Sequence, residues 1–170
     1  WKLTLTAFKE NQYKMFYRWH LAPARLAKMY PTLKPECWKC KDKKRTFFHM
    51  WWQCVEVKKY WKKIQRWIFE MTNYKLKLEP ETFLLGMTKG NLSREKRYLI
   101  VHILTVARII LAQNWKNELI PPDKVLIPKI MDCAELDLFT MELKGKEDRA
   151  YYAVWERWYK WVKNKDKDNE

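Results

Sequence analysis

The sequence predicts an all-α fold, an irregular helical bundle with a small zinc-knuckle-like insertion near its N-terminus. Three observations predict it. The 170 residues include only 3 glycines, too few for glycine-rich phosphate loops or a sandwich of tight hairpins, and a helical chain tolerates that scarcity best. Val57, Trp61, Ile64, Ile68 and Met71 follow a 4-3-4-3 spacing, the apolar stripe of an amphipathic helix. The stretch CWKCKDKKRTFFHMWWQC, residues 37–54, gathers three cysteines and one histidine. With 48% apolar and 16% aromatic residues the chain has the material for a core, which excludes global disorder.

The elements follow in order. Phe8, Gln12, Met15, Phe16 and Trp19 share one face of a helix expected over residues 7–20. Pro23 suits the first turn of a second, short helix through Tyr30. These N-terminal helices take up residues 1–34, and because the chain opens on Trp1 and not on methionine it is expected to be the tail of a longer product. Pro31 and Pro35 bracket an extended run into the cysteine motif, taken as residues 35–56. A helical C-terminal region, 57–163, comes next. Asn73 ends its first helix, and Pro80 opens a turn of helix that stops at Gly86. Ser93 N-caps a long apolar helix over about 94–116. Pro121 and Pro122 break the chain, Pro122 suits the start of another helix, and Pro128 inside that helix predicts a kink or a later start near Lys129. Tyr151, Trp155, Trp158 and Val162 align on a last helix over 147–163, its aromatics expected to dock on the core rather than stack on bases, before a charged tail (164–170) expected to be disordered. The longest apolar run, residues 98–112, is too short for a bilayer span and contains His102 and Arg108, so no membrane partner is expected.

Charge is unevenly spread. Residues 1–70 carry 17 Lys and Arg against 5 Asp and Glu, and the remainder carries 18 against 15. The basic half contains the cysteines. Two readings of the excess are open, a footprint for a polyanion or a solvated basic surface without a partner. On the helix after the cysteines, Lys59, Lys62, Lys63 and Arg66 form a second stripe distinct from the apolar one.

The cluster reads C-x2-C-x8-H-x4-C, with Cys37, Cys40, His49 and Cys54. Structural zinc takes four tetrahedral ligands, and three cysteines with one histidine form a common set. The alternative is a reduced turn with His49 and Cys54 as ordinary buried residues. A thioredoxin-type role for CWKC lacks the βαβ pattern it needs. Cys133 reads as a core residue. The three histidines stand in HLA, HMW and HIL, so the glutamate of a zinc deaminase is absent. H-E-x-x-H, G-x-S-x-G and P-loop motifs are absent too, and no catalytic residue is expected.

The blocks KMFYRWHLAPARLAKMYP, CWKC, TFFHMWWQC, VKKYWKKIQRWI and FLLGM, in that order, resemble the C-terminal region of LINE-type (non-long-terminal-repeat) retrotransposon reverse transcriptases. ARIILAQNWKNELIPP and IMDCAELDLFTMEL are similar to the segments that follow in vertebrate members. The resemblance implies a nucleic-acid-binding tail that assists target-primed reverse transcription. Its partners would be RNA or an RNA–DNA hybrid and the polymerase region of the same polypeptide. Intracellular residence, in the nucleus and a cytoplasmic ribonucleoprotein, is expected on the same footing. The polymerase's paired aspartates and the endonuclease motifs are absent.

The expected interface joins Lys39, Lys41, Lys43, Lys44 and Arg45 of the knuckle to Lys59, Lys62, Lys63 and Arg66. Trp38, Phe47 and Trp51 are the expected base-stacking rings. A second expectation, from a different class, is a zinc-stabilised scaffold that docks on the polymerase or a host protein, with Trp51, Trp52 and the later tryptophans as interface or core anchors.

Overall fold

In the computed structural model, which describes residues 6–43 and 45–167, seven α-helices and one π-helical turn build an all-α fold around a single hydrophobic cluster. The helices are α1 (Thr6–Phe16), α2 (Pro23–Met29), α3 (Val55–Thr72), α4 (Pro80–Leu85), α5 (Arg94–Gln113), α6 (Asp123–Leu143) and α7 (Asp148–Lys167), and the π turn (His49–Gln53) leads into α3.

Helix α5 is central because its apolar residues run around the whole cylinder. It packs against α1, α3, α4, α6 and α7. The α3 stripe Val57, Trp61, Ile64, Ile68 and Met71 is buried throughout, joined by Tyr60 and Trp67. Asn73 takes the left-handed conformation (φ 51°) that ends α3, and Gly86 (φ 72°) does so after α4. Ser93 caps α5, its hydroxyl accepting from the Lys96 amide at 3.3 Å. From α7, Tyr151, Trp155 and Trp158 enter the core.

One cation lies wholly inside. Arg108 of α5 donates to Asn11 Oδ1, Gln12 Oε1, Thr105 Oγ1 and the Phe83 carbonyl at 2.7–3.2 Å. The four acceptors come from α1, α4 and α5, so the guanidinium ties three helices together. Burial draws its pKa down to about 10, which leaves it charged at neutral pH.

Four expectations are corrected. Helix α1 stops at Phe16, where Arg18 (φ 50°) and the bonds Trp19 N–H to Lys14 O and Arg18 N–H to Met15 O form a Schellman end. Its buried face is Phe8, Asn11 and Met15, and Phe16 and Trp19 are exposed. Helix α6 starts at Asp123, not near Lys129, and runs through Pro128. Proline removes one backbone bond at a cost of about 3 kcal/mol. Burying Leu126 and Ile130 on either side of it offsets that, at about 1.5–3 kcal/mol each. Helix α5 ends at Gln113, three residues earlier than expected, with Asn114 as its cap. Helix α7 continues to Lys167, so residues 164–167 are helical, and the rest of the expected tail lies outside the described residues.

Candidate metal centre

The CWKC turn is shaped by backbone bonds from Lys41 N–H to Cys37 O and from Cys37 N–H to Asp42 O, both 3.0 Å, with Lys41 left-handed at φ 56°. That closes a loop with two sulfurs on one side. The other two ligand atoms come from the π turn and its end. His49 opens the turn, its amide donating to Thr46 Oγ1 at 3.2 Å. Cys54 closes it through an i→i−5 bond to His49 O (2.9 Å) and then N-caps α3.

Cys37 Sγ, Cys40 Sγ, His49 and Cys54 Sγ thus converge, with one ligand atom of each lying within 4.8 Å of the others. Cys37 and Cys54 sulfurs are 3.8 Å apart, and Cys40 Sγ is 3.4 Å from His49 Nε2. A tetrahedral ion with bonds of about 2.3 Å to sulfur and 2.0 Å to nitrogen spans edges of about 3.8 Å (S–S) and 3.5 Å (S–N). Both separations match. A disulfide needs about 2.05 Å, so all three thiols are free. The four residues lie close enough to hold one metal ion, in a closed set with no fifth protein ligand among them.

Electrostatics agree with that assignment. Cys37 and Cys54 share a proton; the Cys54 thiol, opposed by burial and helped by the amides of Cys40 and Lys39, holds Cys37 down at about 4. Cys54 is pushed up by the same sharing and by burial, and Cys40 is raised mainly by burial. The site already accommodates one thiolate, and a cation would stabilise the rest.

Arg45 is the point of tension. Its Nη1 lies 3.1 Å from His49 Nδ1, and a guanidinium only donates, so the imidazole proton sits on Nε2. A metal on Nε2 leaves the proton on Nδ1, so this contact must open. Arg45 has two other partners, Asp42 O (2.7 Å) and the Asp42 carboxylate.

The expected nucleic-acid residues fare differently. Lys39 is 7% exposed and donates to Asn114 O (3.0 Å) and Asn117 O (2.6 Å), beyond the C-terminus of α5. It satisfies helix-end carbonyls and complements the helix dipole, so it is withdrawn from any surface. Arg45 is buried against His49 and Asp42. Lys41 is exposed but pairs with Glu118, and Lys43 is exposed. Lys44 lies outside the described residues.

On α3, Lys59, Lys62 and Arg66 are exposed, with Glu56 and Glu70 already beside Lys59 and Arg66. Lys63 instead turns inward, to Asp123 Oδ1 at 2.8 Å and Pro121 O at 3.2 Å. Trp51 is 0% exposed, packed against His20, Phe47 and Trp115, so it cannot stack on a base. Trp38 and Phe47 are half-buried against the core, and Trp52 packs on Phe83.

Exposed rings lie elsewhere, the most exposed of them at Phe16, Tyr17 and Trp19 around Arg18. Their signal is the run FYRWH, residues 16–20, which mixes aromatic and basic side chains and of which helical periodicity places only Phe16 and Trp19 on the expected apolar face. No model of a known protein family matches the chain.

Proposed function

We propose that this chain is the RNA-binding C-terminal region of a LINE-type reverse transcriptase, organised by one structural zinc ion and without catalytic residues of its own. The observation that carries the reading is the convergence of Cys37, Cys40, His49 and Cys54, the motif residues of the retrotransposon-like segment, on one ion-sized point. Zinc suits three thiolates and an imidazole at tetrahedral spacing, and a closed set gives the ion a structural task. When bound, it neutralises the thiolates and fixes the CWKC loop to the head of α3. The basic excess of residues 1–70 supports a polyanionic partner, and Arg25, Lys28, Lys34 and Lys62 carry it at the surface.

The test is binding of a single-stranded RNA at 50 and 200 mM salt. Phosphate contacts predict steep weakening, with log K falling by about 0.7 per contact per decade of salt. Salt-independent binding, or none, overturns the reading. Zinc content, at one ion per chain, is measured on the same sample.

A protein-docking scaffold is favoured by a specific feature, the exposed apolar side chains Leu136, Phe139 and Leu143 on α6. Association with the polymerase region that survives high salt would support that reading instead.

A further inference from the structure

We infer that the surface around α2 is a groove for an unpaired stretch of nucleic acid, with Arg18, Arg25, Lys28, Lys34 and Lys116 on the phosphates and Tyr17 and Trp19 stacking on bases. The inference rests on the RNA reading above and locates it on a face of the molecule other than α3.

Three concavities meet along α2. The largest, about 610 Å³, lies between the α1–α2 turn and Trp115. It shares Arg18, His20 and Arg25 with a second of about 320 Å³ that reaches Phe47. It shares Leu26 and Lys116 with a third, of about 310 Å³, beside the CWKC loop. The shared lining residues make the three concavities neighbours around the helix.

Its chemistry is one-sided. The five cations named above line it and are exposed, and among the described residues none makes an ion pair. Glu36 is the acidic residue of the lining, and the sixth cation, Lys41, is already paired with Glu118. The α3 face is the opposite case, since Lys59 and Arg66 have carboxylates beside them. Unpaired cations lose no existing partner when a phosphate arrives, so the α2 groove is the stronger anion site.

The aromatics decide between ligands. Tyr17 is 72% and Trp19 67% exposed, so neither ring contributes its apolar surface to the core. They flank Arg18, held left-handed at φ 50°, where an L side chain costs on the order of 1 kcal/mol over glycine. Rings and guanidinium are thereby presented together at the rim. A duplex hides its base faces and would use the cations alone; a single strand uses both, as in stacking platforms. The floor is firm. Trp115 Nε1 donates to Leu21 O at 2.9 Å, and Ala24 N–H donates to Arg45 O at 3.1 Å, pinning α2 to α5's end and to the metal loop.

The test is fluorescence anisotropy with a labelled 12-nucleotide single-stranded RNA of mixed sequence across a salt series. Three variants are compared with the unaltered chain, each checked for unchanged helicity and melting. Arg18→Gln with Arg25→Gln and Lys28→Gln should weaken binding at least tenfold and reduce the salt slope by about 2, three contacts at about 0.7 each. Tyr17→Ala with Trp19→Ala should weaken it by about 5- to 150-fold per lost stack, with the slope unchanged. Lys59→Gln with Arg66→Gln, the two α3 cations that already have carboxylates beside them, should stay within twofold.

An unaltered chain that binds no RNA overturns the RNA reading itself. Equal losses from the groove and α3 sets, or none from the aromatic pair, overturn the groove and leave RNA binding standing. Displacement of the RNA by a 12-residue polyglutamate peptide at equal concentration overturns nucleic acid as the occupant.

Discussion

Stripping the metal from the knuckle should destabilise this protein locally, and the size of the effect follows from the spacing of its sulfurs. Two thiolates 3.8 Å apart repel by about 4 kcal/mol at an effective dielectric constant near 20. Without a cation the Cys37–Cys54 pair therefore keeps a proton, and Cys40, raised by burial, keeps another. A zinc ion that takes all three sulfurs as thiolates must expel both. Binding at pH 7.5 should release about two protons from the thiols, and chelation should take them back.

The energy at stake is on the order of 10 kcal/mol for structural sites of this ligand class, comparable to the whole stability of an ordinary domain. Here the helices α3, α5, α6 and α7 share a core that needs no ion. Loss of metal should accordingly open residues 37–54 first and lower the melting temperature by at least 10 °C, since 1 kcal/mol shifts it about 2–4 °C at this size. Native mass spectrometry, calorimetry in buffers of different ionisation enthalpy, and hydrogen exchange read the three quantities. A chain purified without bound metal, with a melt indifferent to chelator, would refute the reasoning.

Three further outcomes are expected. Arg108→Leu leaves Asn11, Gln12, Thr105 and the Phe83 carbonyl without their donor, and should cost about 3 kcal/mol or more in urea denaturation; a loss under 1 kcal/mol would show that water replaces it. Lys39→Met should lose about 1–2 kcal/mol of stability by freeing the carbonyls at the end of α5, yet bind RNA like the parent. At Asp123 burial pushes the carboxyl up, but bonds from Lys63 and Lys165 more than offset it, so the net shift is downward. A depressed carboxyl contributes stability above its unfolded value near 3.9 and loses it as pH falls through the folded one. Asp123→Asn should therefore cost on the order of 1 kcal/mol at pH 7, given its partial exposure, and nothing once the pH is below both values. An equal cost at pH 7 and pH 2 would exclude the ion pairs as the cause.

The α3 stripe, the caps at Ser93, Asn73 and Gly86, and the ligand set were legible because each depends on spacing or on a local backbone need. The metal motif is likewise local, four ligands within eighteen residues. What periodicity could not supply was the identity of the neighbour. Lys63 shares a helix with Lys59 and Arg66, but Asp123 and the Pro121 carbonyl meet it from the start of α6. Lys39 reads as one more knuckle cation until α5 ends beside it. Trp51 and Trp19 were misplaced in opposite senses. Both sit in aromatic-basic runs, and only the α1 end at Phe16 and the π turn decide which ring turns inward.

That π turn also constrains how the gene can vary. Its wide i→i−5 closure holds one residue more than an α-helix would use between His49 and Cys54. Cys54 leaves the turn with extended backbone (ψ 131°) before α3 begins, so the turn alone sets the offset between the imidazole and the Cys54 sulfur. Deleting any single residue from Met50 to Gln53 would close it as an ordinary i→i−4 turn and carry the imidazole away from the sulfurs. Copies of this sequence that conserve all four ligands but lose one codon in that window should fail to assemble the centre. The count of residues is as binding as their identity.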